Sequence, residues 1–290
     1  MATVQVKLPK SSIIKTLDSA GKRVFSTAEL DQIYDRNYRI WRLDIPKMGP
    51  SQFRDYLVKN TPLKKRVINF SKAESKTIYL WKEATSFDTA LAMNPRAYLT
   101  HYSAAFIHEL TEQVPKVVYV NIEQSKKTTA HTGSLDQEAI DHAFSKPARL
   151  SSLQADFDKL TKIHLYHGQH TDLLGVIEDQ NGLRYTNIER TLIDLTVRPI
   201  YGGGASEVLK AFHNAKDKLS VNKLSRMLRQ LDFTYPYHQA IGFYLERAGY
   251  DEELLGIFER MPMEFDFYLT HDMKVKAFSK RWRIHYPENL

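Results

Sequence analysis

The sequence predicts an α/β fold of the α+β type in two domains, residues 1–85 and 86–290, with a further subdivision open near residue 200. Three observations carry this. The 290 residues exceed the usual size of one core, and a composition of 42% apolar and 26% charged residues is that of an ordinary globular chain. Residues 1–82 read as helix, helix, helix, hairpin. After residue 86 short β-prone runs alternate with helical patterns, then yield to helices.

The first helix is read over Ser11–Ala20, with Ile13, Ile14 and Leu17 at helical spacing and Gly21 just past its end. Ser26-Thr27-Ala28-Glu29 matches the S-x-x-E capping box, so a second helix starts near residue 27 and carries Leu30, Ile33 and Tyr34 on one face. It is read as running towards Tyr38-Arg39-Ile40-Trp41-Arg42. Gly49-Pro50 breaks the chain, Ser51 is the expected cap, and Gln52–Lys59 form a third helix with Phe53, Tyr56 and Leu57 inward. Leu63–Phe70 and Lys76–Trp81 flank the polar Ser71–Ser75 as a hairpin. Three helices and a basic hairpin are the order of a winged helix-turn-helix, in which the third helix enters the major groove and the wing meets flanking phosphates. Gln52, Arg54 and Lys59 are the candidates for base edges or nearby phosphates, and Lys64, Lys65, Arg66, Lys72 and Lys76 for the DNA backbone. Protein docking is the alternative use of such a module.

Charge points the same way. Residues 1–82 contain 17 Lys and Arg against 7 Asp and Glu, a net +10, while the other 208 residues carry a net −3. Phosphate neutralisation dominates nucleic-acid affinity, so the asymmetry suits a polyanion-binding module, although a solvated lysine-rich surface explains the excess on charge alone. No apolar run resembles a signal peptide or a membrane span, and the expected location is cytoplasmic with no membrane partner. With no cysteine, disulfides and thiolate sites are excluded.

Beyond residue 86, helices are read over Ser86–Met93, from about Thr100, over Leu135–Phe144, Asn187–Leu195 and Ala205–Ala215, and near 221–231, 237–248 and 251–260. Pro115–Asn121, Ile163–His167, Leu173–Ile177, Leu183–Thr186, Phe265–Leu269 and Arg281–His285 read as strands. Asn181-Gly182 is the expected hairpin turn, and 125–134 an expected loop.

Specific residues then resemble a family. Tyr98-Leu99-Thr100-His101-Tyr102-Ser103-Ala104-Ala105 ahead of the Val117–Val120 strand, and Tyr185–Leu195 with its Glu189-Arg190-Thr191-Leu192-Ile193-Asp194 core, Arg198-Pro199 and Gly202–Gly204, resemble the AbiEi antitoxins of type IV toxin-antitoxin systems. Glu109 stands where that family commonly has Gly, and the tail after residue 250 has no counterpart. The resemblance implies a DNA-binding antitoxin that represses its own operon and counteracts a nucleotidyltransferase-like toxin, and the basic excess of the first domain leads to the expectation of operator DNA with inverted repeats as its partner. It marks Tyr98, Tyr102, Ser103, Glu189, Arg190, Thr191, Asp194 and Arg198 as motif residues. Read physically, Arg190 and Asp194 stand i,i+4 and can pair, which usually organises structure, and Glu189 lies in the first turn of its helix. The Gly202–Gly204 run suits either a flexible helix start or an anion on exposed amides.

No catalytic or cofactor motif competes with this reading. His164, His167 and His170 are split by strand alternation, and His101 and His108 lack an acidic partner one turn away, so no metal is expected. Asp266 with Asp272-Met273-Lys274 is the best enzymatic fragment, a nuclease-like carboxylate set if Glu178 or Asp179 completes it. The expectation is a non-enzyme without cofactor. A regulator with a ligand-sensing or dimerising C-terminal domain is the alternative, and a DNA nuclease the third.

Overall fold

The structure is a computed structural model that describes residues 9–44, 47–70, 75–126 and 135–290. Its N-terminal part begins with α1 (Lys10–Ser19), β1 (Val24–Ser26) and α2 (Thr27–Asn37). The Ser26 hydroxyl accepts from the Glu29 amide while the Glu29 carboxylate accepts from the Ser26 amide, so the expected capping box fixes the start of α2. The helix does not run on into Tyr38–Arg42; it stops at Asn37, and the next residues form turns that bury Trp41. α3 spans Pro50–Asn60. Gly49, not Ser51, is its cap, because Pro50 at the first helical position has no amide to satisfy and the Gln52 side chain reaches back to the Gly49 amide at 2.9 Å. β2 (Leu63–Asn69) and β3 (Ser75–Trp81) complete the segment. β1 was missed in the sequence because three residues carry too little periodicity; it pairs with β3, giving an antiparallel sheet of order β1-β3-β2. Ile13, Leu17, Phe25, Leu30, Trp41, Phe53, Leu57 and Trp81 share one core. Lys72 and the other residues 71–74 lie outside the described residues, as does most of the expected 125–134 loop.

α4 (Ser86–Leu91), β4 (Tyr98–Leu99), α5 (His101–Ile107), β5 (Val117–Asn121), α6 (Gln137–Phe144), β6 (Gln154–Asp156), β7 (Lys162–Tyr166), β8 (Val176–Glu178) and β9 (Arg184–Thr186) follow. The strands form a mixed sheet of order β6-β7-β5-β4-β9-β8. The Asn181-Gly182 turn is wider than expected: Asp179 accepts from the amides of Asn181 and Leu183, and the loop takes five residues, 179–183. β6 escaped the sequence reading, yet it joins the two sheets. Phe70 bridges to Ala155, and Ile68, Ile78 and Leu80 of the hairpin share a core with Met93 and Ala155.

The remainder is largely helical: α7 (Ile188–Val197), a 3₁₀ turn at Pro199–Gly202, α8 (Ala205–Asn214), α9 (Val221–Leu231), α10 (Tyr237–Arg247) and α11 (Glu252–Glu259). Gly203 and Gly204 have φ of 86° and 99°, the left-handed backbone that turns the chain into α8, so the glycine run serves as a helix start. β10 (Phe267–Tyr268), β11 (Lys276–Ser279) and β12 (Ile284–Pro287) form a small sheet of order β10-β12-β11. The tail is fastened to α10 and α11 in three ways. Trp282 lies on Gly242, where a Cβ would come within 2.1 Å of the indole. Buried Gln239 donates to the carbonyls of Phe265, Trp282 and Arg283. Arg281 pairs with Glu246, Glu252 and Glu259. Among the described residues the chain is thus a mixed α/β fold with eleven α-helices, three sheets and no helix long and apolar enough to cross a membrane.

Candidate functional site

α3 turns Phe53 and Leu57 inward and leaves Gln52 and Lys59 exposed. Arg54 is half-buried and ion-paired with Asp31 of α2, so its guanidinium is partly committed to holding the two helices together. β2 is an edge strand, and Lys64 and Lys65 stand exposed along it. Arg66 and Lys76, expected to meet phosphates, are turned inward instead. The Arg66 guanidinium lies 4.6 Å over the Phe157 ring and donates to the Phe157 carbonyl. The Lys76 ammonium donates to the carbonyls of Ala92 and Met93 at 3.1 and 2.7 Å, and burial lowers its pKa despite nearby Glu29. Both side chains face the inter-sheet junction because β2 and β3 pack one side on β6 and on Ala92–Met93.

The motif residues gather around α7, whose stretch Glu189–Thr196 is buried throughout. Asn187 caps it, accepting from the Arg190 amide at 2.9 Å. The expected i,i+4 pair is present: Arg190 Nε donates to Asp194 at 2.8 Å, and the second carboxylate oxygen accepts from Thr100 at 2.7 Å. Arg190 also donates to Thr171 and to the Leu174 carbonyl. Burial works against its charge, but Asp194, Tyr98 and Glu123 together more than compensate and the guanidinium pKa rises. Thr191 bonds to Thr186, and Glu189 pairs with Lys223 at 2.9 Å. Ser103 accepts from the Tyr119 amide, and Tyr102 bonds to Thr111.

A second layer escaped the sequence reading. The Tyr98 hydroxyl accepts from Asn121 at 2.6 Å and donates to Glu123 at 3.3 Å. Glu123 also accepts from the amides of Thr171 and Leu173. Burial raises its pKa, yet these bonds outweigh it and the net direction is down. The only signal was a pair of polar residues, Asn121 and Glu123, flanking Ile122 at the end of an apolar strand. Together these groups lock β4, β5, β9 and the 168–174 loop onto α7, a structural task rather than an open site.

Beneath the network, His101 occupies a left-handed backbone position at φ 50° and is 3% exposed. It sits among Tyr119, Tyr166 and Tyr201, and its Nδ1 has no hydrogen-bond partner among the described residues. It lines a cavity of about 40 Å³ together with Thr100, Arg190, Asp194 and Arg198. Burial lowers its pKa to about 4, so it is neutral at pH 7. His108 is elsewhere, bonded to the Thr186 carbonyl, and His164 bonds to the Ser151 carbonyl. Asp266 pairs with Arg283, and Asp272 with Lys274, so each carboxylate of the nuclease-like fragment already holds a cation. Among the described residues no group of three or more His, Asp or Glu is placed to hold a metal ion.

Fold and geometry define a mixed α/β protein with exposed lysines on its N-terminal helix and hairpin and a buried polar network around α7. No family model matches the sequence, and no curated protein does. Among solved structures, the crystal structure of the RV2827C protein from Mycobacterium tuberculosis is similar in fold, with a TM-score of 0.58 at 14% identity over 97% of this chain and 92% of that one.

Proposed function

We propose that the chain is a cytoplasmic DNA-binding antitoxin and autorepressor of the AbiEi kind, with residues 9–81 acting as a winged helix-turn-helix. In this reading α3 is the recognition helix and the β2–β3 hairpin the wing. One observation carries it: Gln52 and Lys59 on α3 and Lys64 and Lys65 on β2 are exposed, within a segment of net charge +10 over residues 1–82. Arg66 and Lys76 are left out of the contact set, and Arg54 orients α3 through Asp31. The partners are operator DNA with inverted repeats and a nucleotidyltransferase-like toxin. The motif residues around α7 serve by shaping the second part of the molecule.

The test is a pair of assays on the full chain, since the hairpin shares a core with Met93 and Ala155 and a fragment ending at 85 would expose it. Protection of inverted repeats upstream of the gene, together with relief of growth arrest when the chain is co-expressed with the neighbouring gene product, supports the reading. Protection without relief favours a plain regulator. Absence of protection removes DNA binding from the account.

A further inference from the structure

A second basic surface lies far along the chain from α3. The segment 142–149 at the end of α6 and beyond it, the turn at Pro199–Ile200, Tyr235 with Tyr237, and Thr270-His271 enclose a groove of about 480 Å³. Lys146, Arg149 and Arg198 line it together with His142 and His271, and no Asp or Glu does. Residues 83–290 carry a net −3, and the buried or half-buried cations Arg190, Arg281 and Arg283 of this part are each matched by a carboxylate. Lys146 and Arg149 make no ion pair among the described residues, and the lysine instead donates to the His142 ring at 2.8 Å. 

Arg198 is the most informative of the set. Its guanidinium is held 5.0 Å over the Tyr166 ring and 5.8 Å over Tyr201, and one amino group donates to the Arg149 carbonyl at 3.0 Å. Its Nε is buried without a hydrogen-bond partner, and no carboxylate pairs with it among the described residues. A cation fixed by aromatic faces with an unused buried donor is preorganised for an acceptor from outside the chain. The apolar side of the groove is Ile200, 46% exposed, and the half-buried Tyr235 ring. The volume falls within the roughly 300–1,000 Å³ of small-ligand sites. Clustered cations call for several phosphate charges, and an aromatic and aliphatic wall suits a planar base.

We propose that this groove binds a nucleoside polyphosphate, its phosphates on Lys146, Arg149 and Arg198 and its base against Tyr235 and Ile200. The proposal is independent of the DNA-binding reading, which uses the opposite part of the sequence. The experiment is calorimetric titration of the full chain with ATP, GTP, CTP and UTP, and with inorganic triphosphate. The expected result is saturable binding of at least one nucleotide, at least tenfold tighter than inorganic triphosphate. Arg149→Ala and Lys146→Ala, both at exposed side chains, should each weaken it by about tenfold, the loss of one charge-assisted contact. Lys64→Ala with Lys65→Ala should leave it unchanged, which separates this site from the proposed DNA surface. No saturable binding, equal affinity for inorganic triphosphate, or indifference to Lys146→Ala and Arg149→Ala would each overturn the proposal.

Discussion

Acidification should destabilise this protein through one buried ring, His101. In the folded chain its pKa is lowered to about 4 from the ordinary 6.5, first by burial, with Arg198, Arg190 and His164 adding to the depression and Asp194 opposing it. A lowered histidine binds its proton more readily when unfolded, so its contribution is complete above the unfolded pKa and is lost as pH falls from about 6.5 towards about 4. With those two values, the loss between about pH 7.5 and about pH 4.5 is roughly 2.5 kcal/mol, a large part of a typical folding free energy. His108, His164, His238, His271 and His285 are lowered by burial as well and act with the same sign. The ring's own share is therefore read against His101→Asn, because asparagine tolerates the left-handed φ of 50° and does not titrate. Urea unfolding of both proteins across this range should show the variant losing about 2 kcal/mol less than the parent. Equal losses would refute the assignment of a buried neutral imidazole at this position.

Three further outcomes follow from the geometry. Asp194→Ala leaves the buried Arg190 charge and the Thr100 hydroxyl without their acceptor and should cost about 3–5 kcal/mol in denaturant unfolding; a cost below about 1 kcal/mol would contradict the network. Glu109 has φ 60° and an exposed pair with Lys218, so Glu109→Gly should be more stable than Glu109→Ala by about 1 kcal/mol in thermal unfolding, and equal midpoints would show that the backbone is relaxed there. Arg66→Ala should lower stability by about 1 kcal/mol through the lost Phe157 contacts and leave DNA affinity nearly unchanged, whereas Lys65→Ala should do the reverse; matching effects in a binding and an unfolding series would show the hairpin to be misread.

Where local chemistry alone sets a feature, the sequence disclosed it. The Ser26/Glu29 box, the α3 apolar face of Phe53 and Leu57, and the Arg190–Asp194 pair are set by spacings of three or four residues, and the structure contains each. Features that depend on a distant partner were hidden. β1 and β6, three residues each, exist because β3 and β7 offer them a ladder. Arg66 and Lys76 look like phosphate contacts until Phe157, Ala92 and Met93 are brought beside them. The basic groove draws Lys146, Arg149, Arg198 and His271 from positions up to 125 residues apart, so no window of sequence contains it. Glu109 is a further case: its left-handed backbone, in a residue other than glycine, is announced by no local spacing.

In the proposed function the exposed lysines of α3 and β2 neutralise DNA phosphates. The affinity of the full chain for the DNA upstream of its gene, measured as a function of salt, reads this out. Log affinity should fall linearly with log salt, with a slope reduced by roughly 2.7 when Lys59, Lys64 and Lys65 are all changed to Ala, about 0.9 for each phosphate contact. No binding, or a slope that the triple variant leaves unchanged, would contradict it.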